Sequence, residues 1–169
     1  MKATDLFLSE LEREVQRSRH VLEQVPEGKH DWKPHDKSMQ FGYLADMVAT
    51  IPTWIAMIIR QDELDIAPKG GPTRPRDAMN TSAQYLHALD TSAAEARAAL
   101  SSTTDEHLLT PWRLLAGGTL AAEMPRLEMI RDTINHWAHH RGQLTVYLRL
   151  LGARVPAVYG PSADDKSFG

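Results

Sequence analysis

Apolar residues recur at three- and four-residue steps through four segments of the chain, and charged residues fill the positions between them. This period is that of an amphipathic α-helix, which packs its apolar face against other elements. In the first segment Leu8, Leu11 and Val15 carry the apolar face, and Thr4 stands at the N-cap position. The pattern predicts helices over Thr4–Gln24, Ser38–Arg60, Thr81–Leu100 and Pro125–Leu151, with Ser38 as the N-cap and Pro52 as a kink of the second helix.

The segments between these helices are predicted to be mostly irregular. Proline, glycine and polar residues predict loops over Lys29–Lys37 and Asp65–Asp77. Between the third and fourth helices the period is lost around Gly117 and Gly118, which predicts either a small hairpin over Trp112–Leu120 or an irregular crossover. Four amphipathic helices of similar length in a chain of 169 residues predict one all-α domain, a four-helix bundle across residues 1–169.

The composition narrows the classes of function. Lys and Arg number 19 against 22 Asp and Glu, so the net charge is −3 and nucleic acid is not an expected partner. The longest apolar run, Trp54–Ile59, is far shorter than the roughly 20 residues that span a bilayer, so no membrane is expected. The N-terminal residues lack an apolar signal core, which predicts a cytoplasmic protein. Because the chain has no cysteine, any metal must be held by other donors.

Three of the eight histidines lie close together on the last predicted helix. His136 and His140 are four residues apart, about 40° around one helix face, at the spacing that lets two imidazoles bind one divalent metal. His139 lies about 60° to one side of His136 and ranks below these two as a ligand. Spacing alone leaves a metal site and a set of hydrogen-bonded core histidines as equal interpretations. Nearly the same stripe of the helix also carries Asp132, Gln143 and Tyr147.

The sequence resembles the DinB family along nearly its whole length. The resemblance is carried by HWAHHRGQLTVYLRLLG from His136, by VPAVYGPSADD from Val155, and by VPEGKHDWKPHDKSMQFGYLADMVATIPTW from Val25. The His-x-x-x-His-Arg-Gly-Gln signature is fairly specific. The resemblance implies an up-down-down-up four-helix bundle, a homodimer, and a metal such as Zn(II) or Ni(II) held by three histidines. His136 and His140 match the two histidines of the last helix.

The third histidine of the family pattern falls at Met47, where this sequence departs from the family. A thioether is a soft, neutral donor that suits Cu(I) far better than Zn(II) or Ni(II), so the site is expected to bind a divalent metal weakly or not at all. Asp46 is about 100° further round the helix, and its expected place is the helix surface. Asp46 and Asp132 are nevertheless the candidates to replace the missing ligand. Met47 itself is expected to pack in the core.

Two functions follow as expectations. Relatives in the family include thiol S-transferases that use bacillithiol and a mycothiol-dependent isomerase, which implies a metal-dependent transferase with a low-molecular-weight thiol as cofactor. The alternative is a non-catalytic dimeric protein that binds a small-molecule ligand. Arg141 is expected to pair with a carboxylate and to order the helix or the dimer. The tail Val155–Asp165 is expected either to close over the site or to be a terminal segment anchored by Tyr159.

Overall fold

The computed structural model describes residues 2–71 and 79–167. The structure is 56% helical and includes a mixed three-stranded sheet. In chain order the elements are α1 (Ala3–Leu22), α2 (Phe41–Thr50), α3 (Pro52–Arg60), β1 (Glu63–Asp65), α4 (Ser82–Ser102), α5 (Asp105–Leu108), β2 (Pro111–Ala116), β3 (Thr119–Pro125) and α6 (Arg126–Leu150).

The long helices lie where the apolar periodicity places them. The second predicted helix is two helices, α2 and α3, bent by 49° at Pro52. Proline lacks the backbone N–H of a helix interior but suits the first turn, so one helix ends and the next begins there. Within the described residues no single helix is long and apolar enough to cross a membrane, although α2 and α3 taken together meet that criterion by length and composition.

The expectation of an all-α four-helix bundle is wrong, because the chain has an α+β fold. Strands β2 and β3 form an antiparallel hairpin, and β1 pairs in parallel with β2. Of the two alternatives for Trp112–Leu120, the structure shows the hairpin, and its strands extend from Pro111 to Pro125. Gly117 and Gly118, with φ of +62° and +81°, supply the left-handed conformations that a two-residue hairpin turn requires. Strand β1 begins just before the predicted Asp65–Asp77 loop and includes its first residue, and residues 72–77 of that loop lie outside the described part.

Long-range contacts explain why β1 escaped prediction. Its partner strand begins almost 50 residues later, so no local pattern reports the pairing. The carboxylate of Asp65 accepts hydrogen bonds from the backbone N–H groups of Ala67, Gly117 and Gly118 at 2.7–2.9 Å. These bonds lower the pKa of Asp65 and tie the end of β1 to the hairpin turn.

Two of the predicted helix caps are wrong. Thr4 lies inside α1, and the N–H groups of Ala3 and Thr4 donate instead to the carboxylate of Asp105. Helix α2 begins after Gln40 rather than at Ser38, and its first N–H groups donate to carbonyls of the preceding loop. In both cases a residue distant from the helix end supplies the acceptor that the helix terminus needs. Thr81, by contrast, caps α4 in a capping box with Gln84.

Candidate functional site

Helix α6 carries the predicted site and packs against α1, α2 and α3. Trp137 is fully buried, and its Nε1 donates a hydrogen bond to the backbone carbonyl of Val48 at 2.7 Å. This bond fixes the position of α6 along its axis relative to α2. It also places His136, the preceding residue, beside α3, where the ring of Trp54 meets the His136 ring edge-on at 5.4 Å between centroids.

His136 and His140 lie side by side on α6. Their ring centroids are 4.5 Å apart and the rings are tilted by 42°. Burial, followed by the neighbouring histidines, lowers the pKa of His136 below its ordinary value. Burial also lowers the pKa of His140, against the opposing effect of its hydrogen bond with Gln143. Both imidazoles are therefore neutral at pH 7, the form that can bind a metal or accept a hydrogen bond.

Gln143 is the polar side chain that holds the ring of His140. Its Oε1 lies 2.9 Å from His140 Nδ1. One further turn along the same face, the ring of Tyr147 meets Trp32 at 5.6 Å, and its hydroxyl lies 3.4 Å from the carbonyl oxygen of Met39. We call His136, His140, Gln143 and Tyr147 the α6 face. The sequence placed these residues on one stripe but did not predict the bond between Gln143 and His140, although their i, i+3 spacing allows it.

The three candidates for a third metal ligand, Met47, Asp46 and Asp132, differ in their burial. Met47 is 6% exposed and belongs to the hydrophobic core. Asp46 is also buried, so the expectation that it lies on the surface is wrong. Burial and, next, the charge of Asp46 raise the pKa of Tyr85 on α4 to about 12, which places this carboxylate near α4. Asp132 is half-exposed and pairs with Arg131 at 3.3 Å.

The donor set does not fit a tightly bound divalent metal. Across residues 2–71 and 79–167, no three His, Cys, Asp or Glu side chains are arranged to hold a metal ion. Two neutral imidazoles and a thioether provide no negative charge, and the thioether is a poor donor to Zn(II) or Ni(II). The assignment of His136 and His140 as metal ligands stays a prediction.

Arg141 lies in a buried ionic cluster beside the site. Its guanidinium donates to both carboxylate and backbone oxygens of Glu14 and to Ser18 Oγ, and Arg141 and Glu14 are each 1% exposed. Burial raises the pKa of Glu14, but the charge and hydrogen bonds of Arg141, with those from Tyr159 and Arg17, lower it further than burial raises it. Arg141 thus has the carboxylate partner that the sequence predicted. Glu14 could have been found, since it lies three residues after Leu11 on the apolar stripe of α1.

The same cluster anchors the C-terminal tail. The Tyr159 hydroxyl donates to Glu14 at 2.9 Å and accepts from Arg141. The guanidinium of Arg17 lies 4.3 Å from the centre of the Tyr159 ring and donates to the carbonyl of Val158. Of the two expectations for the tail, the structure favours a segment anchored by Tyr159.

Two surface depressions are lined by residues other than His136 and His140. One, of about 540 Å³, is lined by residues of α5, the hairpin and the start of α6, among them His107, Glu123 and Arg126. The other, of about 190 Å³, lies along α1 at Arg13 and Arg17. Neither depression is lined by His136 or His140.

Comparisons with known proteins agree with this architecture. The family model described as the DinB family matches residues 1–167. The uncharacterized protein YrdA of Bacillus subtilis (strain 168) is 39% identical over 46 residues, which are 27% of this chain and 28% of YrdA, so the chain matches well under two thirds of that relative.

Two solved structures share the fold. A DinB-like protein from Bacillus cereus ATCC 10987 superposes with a TM-score of 0.68 at 23% identity, over 90% of this chain and 95% of that one. The DinB-like protein YjoA from Bacillus subtilis superposes with a TM-score of 0.66 at 18% identity, over 87% and 92% of the two chains. With the family model matching almost every residue, the chain belongs to the DinB family.

Proposed function

We propose that this chain is a small-ligand-binding member of the DinB family that has lost the tight divalent metal site of a three-histidine protein. The observation that carries the proposal is Met47, a buried thioether at the position of the third histidine. A divalent ion at His136 and His140 would gain two neutral nitrogen donors and no compensating charge. Such a site holds Zn(II) or Ni(II) weakly.

The chemistry of the α6 face supports a neutral, partly aromatic ligand. The face runs from His136, which contacts Trp54, to Tyr147, which contacts Trp32. The 11 steps from His136 to Tyr147 correspond to about 16 Å of helix at 1.5 Å per residue. The α6 face and these two tryptophans contain no charged side chain at neutral pH, because both imidazoles are neutral. Aromatic walls with a few hydrogen-bonding groups are typical of small-molecule sites.

A metal analysis of untagged protein tests the proposal. The parent is loaded with Zn(II) or Ni(II), dialysed against a mild chelator, and analysed for metal. We expect the parent to lose most of its metal, and His136→Ala to lose it equally. Stoichiometric metal in the dialysed parent that His136→Ala abolishes would overturn the proposal and would require a third ligand, with Asp46 and Asp132 examined first.

That second outcome would favour the metal-dependent enzyme, which is the other candidate. It is supported by the 4.5 Å separation of the two histidine rings and by the hydrogen bond between His140 and Gln143, since metal-binding histidines commonly have such a partner. In that case a bound metal would lower the pKa of a low-molecular-weight thiol and so supply a thiolate. We expect the protein to be a homodimer under either candidate function.

A further inference from the structure

His140 is a buried side chain with one nitrogen open to a ligand. The residue is 4% exposed, and its Nδ1 is engaged by Gln143 Oε1 at 2.9 Å. Its Nε2 has no hydrogen-bond partner among the described residues. Nδ1 is therefore hydrogen-bonded within the protein, whereas Nε2 is free to bond a ligand.

The contact with Gln143 bears on which nitrogen of His140 carries the proton. A neutral imidazole has one N–H and one nitrogen with a lone pair. The side-chain oxygen of Gln143 can only accept a hydrogen bond, so its contact with Nδ1 places the proton on Nδ1. The lone pair is then on Nε2. If the side-chain amide of Gln143 were rotated by about 180°, its NH₂ group would face Nδ1. The proton of His140 would then be on Nε2.

The neighbouring rings do not perform this role. His136 and His139 contact His140 through their ring faces and edges, at 4.5 and 5.4 Å between centroids. Within the described part of the chain, Gln143 is the side chain that is hydrogen-bonded to His140. Gln143 is therefore the side chain that distinguishes the two nitrogens of the His140 ring.

We propose that Gln143 is a positioning residue that keeps His140 in the Nδ1–H form and presents the Nε2 lone pair at the α6 face. The class of ligand that this arrangement recognises is a neutral aromatic molecule with an N–H or O–H donor. This choice of ligand rests on the function proposed above. The protonation form of His140 does not, because it can be measured in the free protein.

Long-range ¹H–¹⁵N NMR of the ¹⁵N-labelled full chain, at a pH where His140 is neutral, measures the form directly. We expect a pyrrole-like ¹⁵N shift at Nδ1 of His140 and a pyridine-like shift at Nε2. In Gln143→Leu the two shifts should move toward the opposite form, which free histidine prefers. Gln143→Glu retains an acceptor and should restore the parent pattern. Gln143 is exposed, so these variants are expected to fold.

His107 provides an internal control in the same spectra. Its Nε2 lies 2.9 Å from the carbonyl oxygen of Ile59, so His107 should show the Nε2–H form in the parent and in both variants. An Nε2–H form of His140 in the parent would overturn the inference, as would a parent-like spectrum of Gln143→Leu. A simultaneous change at His107 would indicate a general disturbance of the structure and would equally count against a specific role of Gln143.

Indole and 1-methylindole test the choice of ligand. Both are neutral and aromatic, but only indole can donate to Nε2. A hydrogen bond worth about 1 kcal/mol predicts that the parent binds indole about fivefold more tightly, and that Gln143→Leu loses this preference. Equal binding of the two probes by the parent would overturn the donor requirement. If neither probe binds, the proposed ligand class fails, while the NMR result still decides the role of Gln143.

Discussion

The buried pair Glu14–Arg141 permits a stability prediction with a matched control on the same helix. In Glu14→Gln the side chain keeps its shape and one oxygen acceptor but loses its charge. Arg141 remains 1% exposed with no carboxylate beside it, and Arg17 loses the same partner. The control is Glu12→Gln, whose carboxylate pairs with Arg97 and is half-exposed.

The two substitutions should differ strongly in free energy of unfolding. Removing one partner of a buried ion pair lowers the free energy of unfolding by about 3–5 kcal/mol, because the remaining charge stays desolvated. The amide that replaces the Glu14 carboxylate retains part of the hydrogen bonding, so we expect about 3 kcal/mol, or a fall in Tm of about 6–12 °C. The exposed pair is screened by water, so Glu12→Gln should cost less than about 1 kcal/mol.

The pH dependence gives a second check. The folded-state pKa of Glu14 lies below its ordinary value of 4.5. Its ion pair therefore contributes in full above pH 4.5, and the contribution is lost as the pH falls through the folded-state pKa. The difference in unfolding free energy between the parent and Glu14→Gln should be constant near neutral pH and should shrink in acid.

Urea unfolding followed by circular dichroism, at several pH values, measures both effects. Equal destabilisation of Glu14→Gln and Glu12→Gln at pH 7 would contradict a stabilising buried ion pair. A difference between the parent and Glu14→Gln that grows as the pH falls below 4.5 would contradict the lowered pKa of Glu14. A change in the slope of unfolding with urea would point to a change in the unfolded state, and the comparison would then be repeated by thermal unfolding.

Three further predictions address the metal site, the helix packing and the assembly. Met47→His should bind Zn(II) or Ni(II) far more tightly than the parent, because a third imidazole completes a three-histidine site. Competition with a chromophoric chelator measures the metal affinity, and an unchanged affinity would contradict the prediction. Trp137→Phe should lower the free energy of unfolding by about 2 kcal/mol, since the buried carbonyl of Val48 loses its side-chain donor, and a loss below about 0.5 kcal/mol in urea unfolding would argue against this. Sedimentation should give twice the monomer mass of 18.9 kDa, and a monomer at micromolar concentration would exclude the homodimer.

Local features of the sequence were sufficient to predict the long helical segments and the position of the histidine pair, but not the short helix α5. An amphipathic period predicts a helix from the local sequence alone, whichever elements the helix packs against. Residues four positions apart on any α-helix lie on nearly the same face. His136 and His140 had to lie side by side once α6 formed. The adjacent glycines 117 and 118 likewise indicated a turn, because few other residues adopt its backbone conformation.

Contacts between distant parts of the chain could not be predicted from local patterns. The pairing of β1 with β2, the capping of α1 by Asp105 and the choice of Glu14 as partner of Arg141 all join residues at least 48 positions apart. No periodicity records such contacts, since each depends on how complete helices and strands pack. The burial of Asp46 is of the same kind. The four-residue spacing of His136 and His140 requires the two imidazoles to share a face of α6, whereas the packing of α2 against α4 and α6 sets which side chains lie near them.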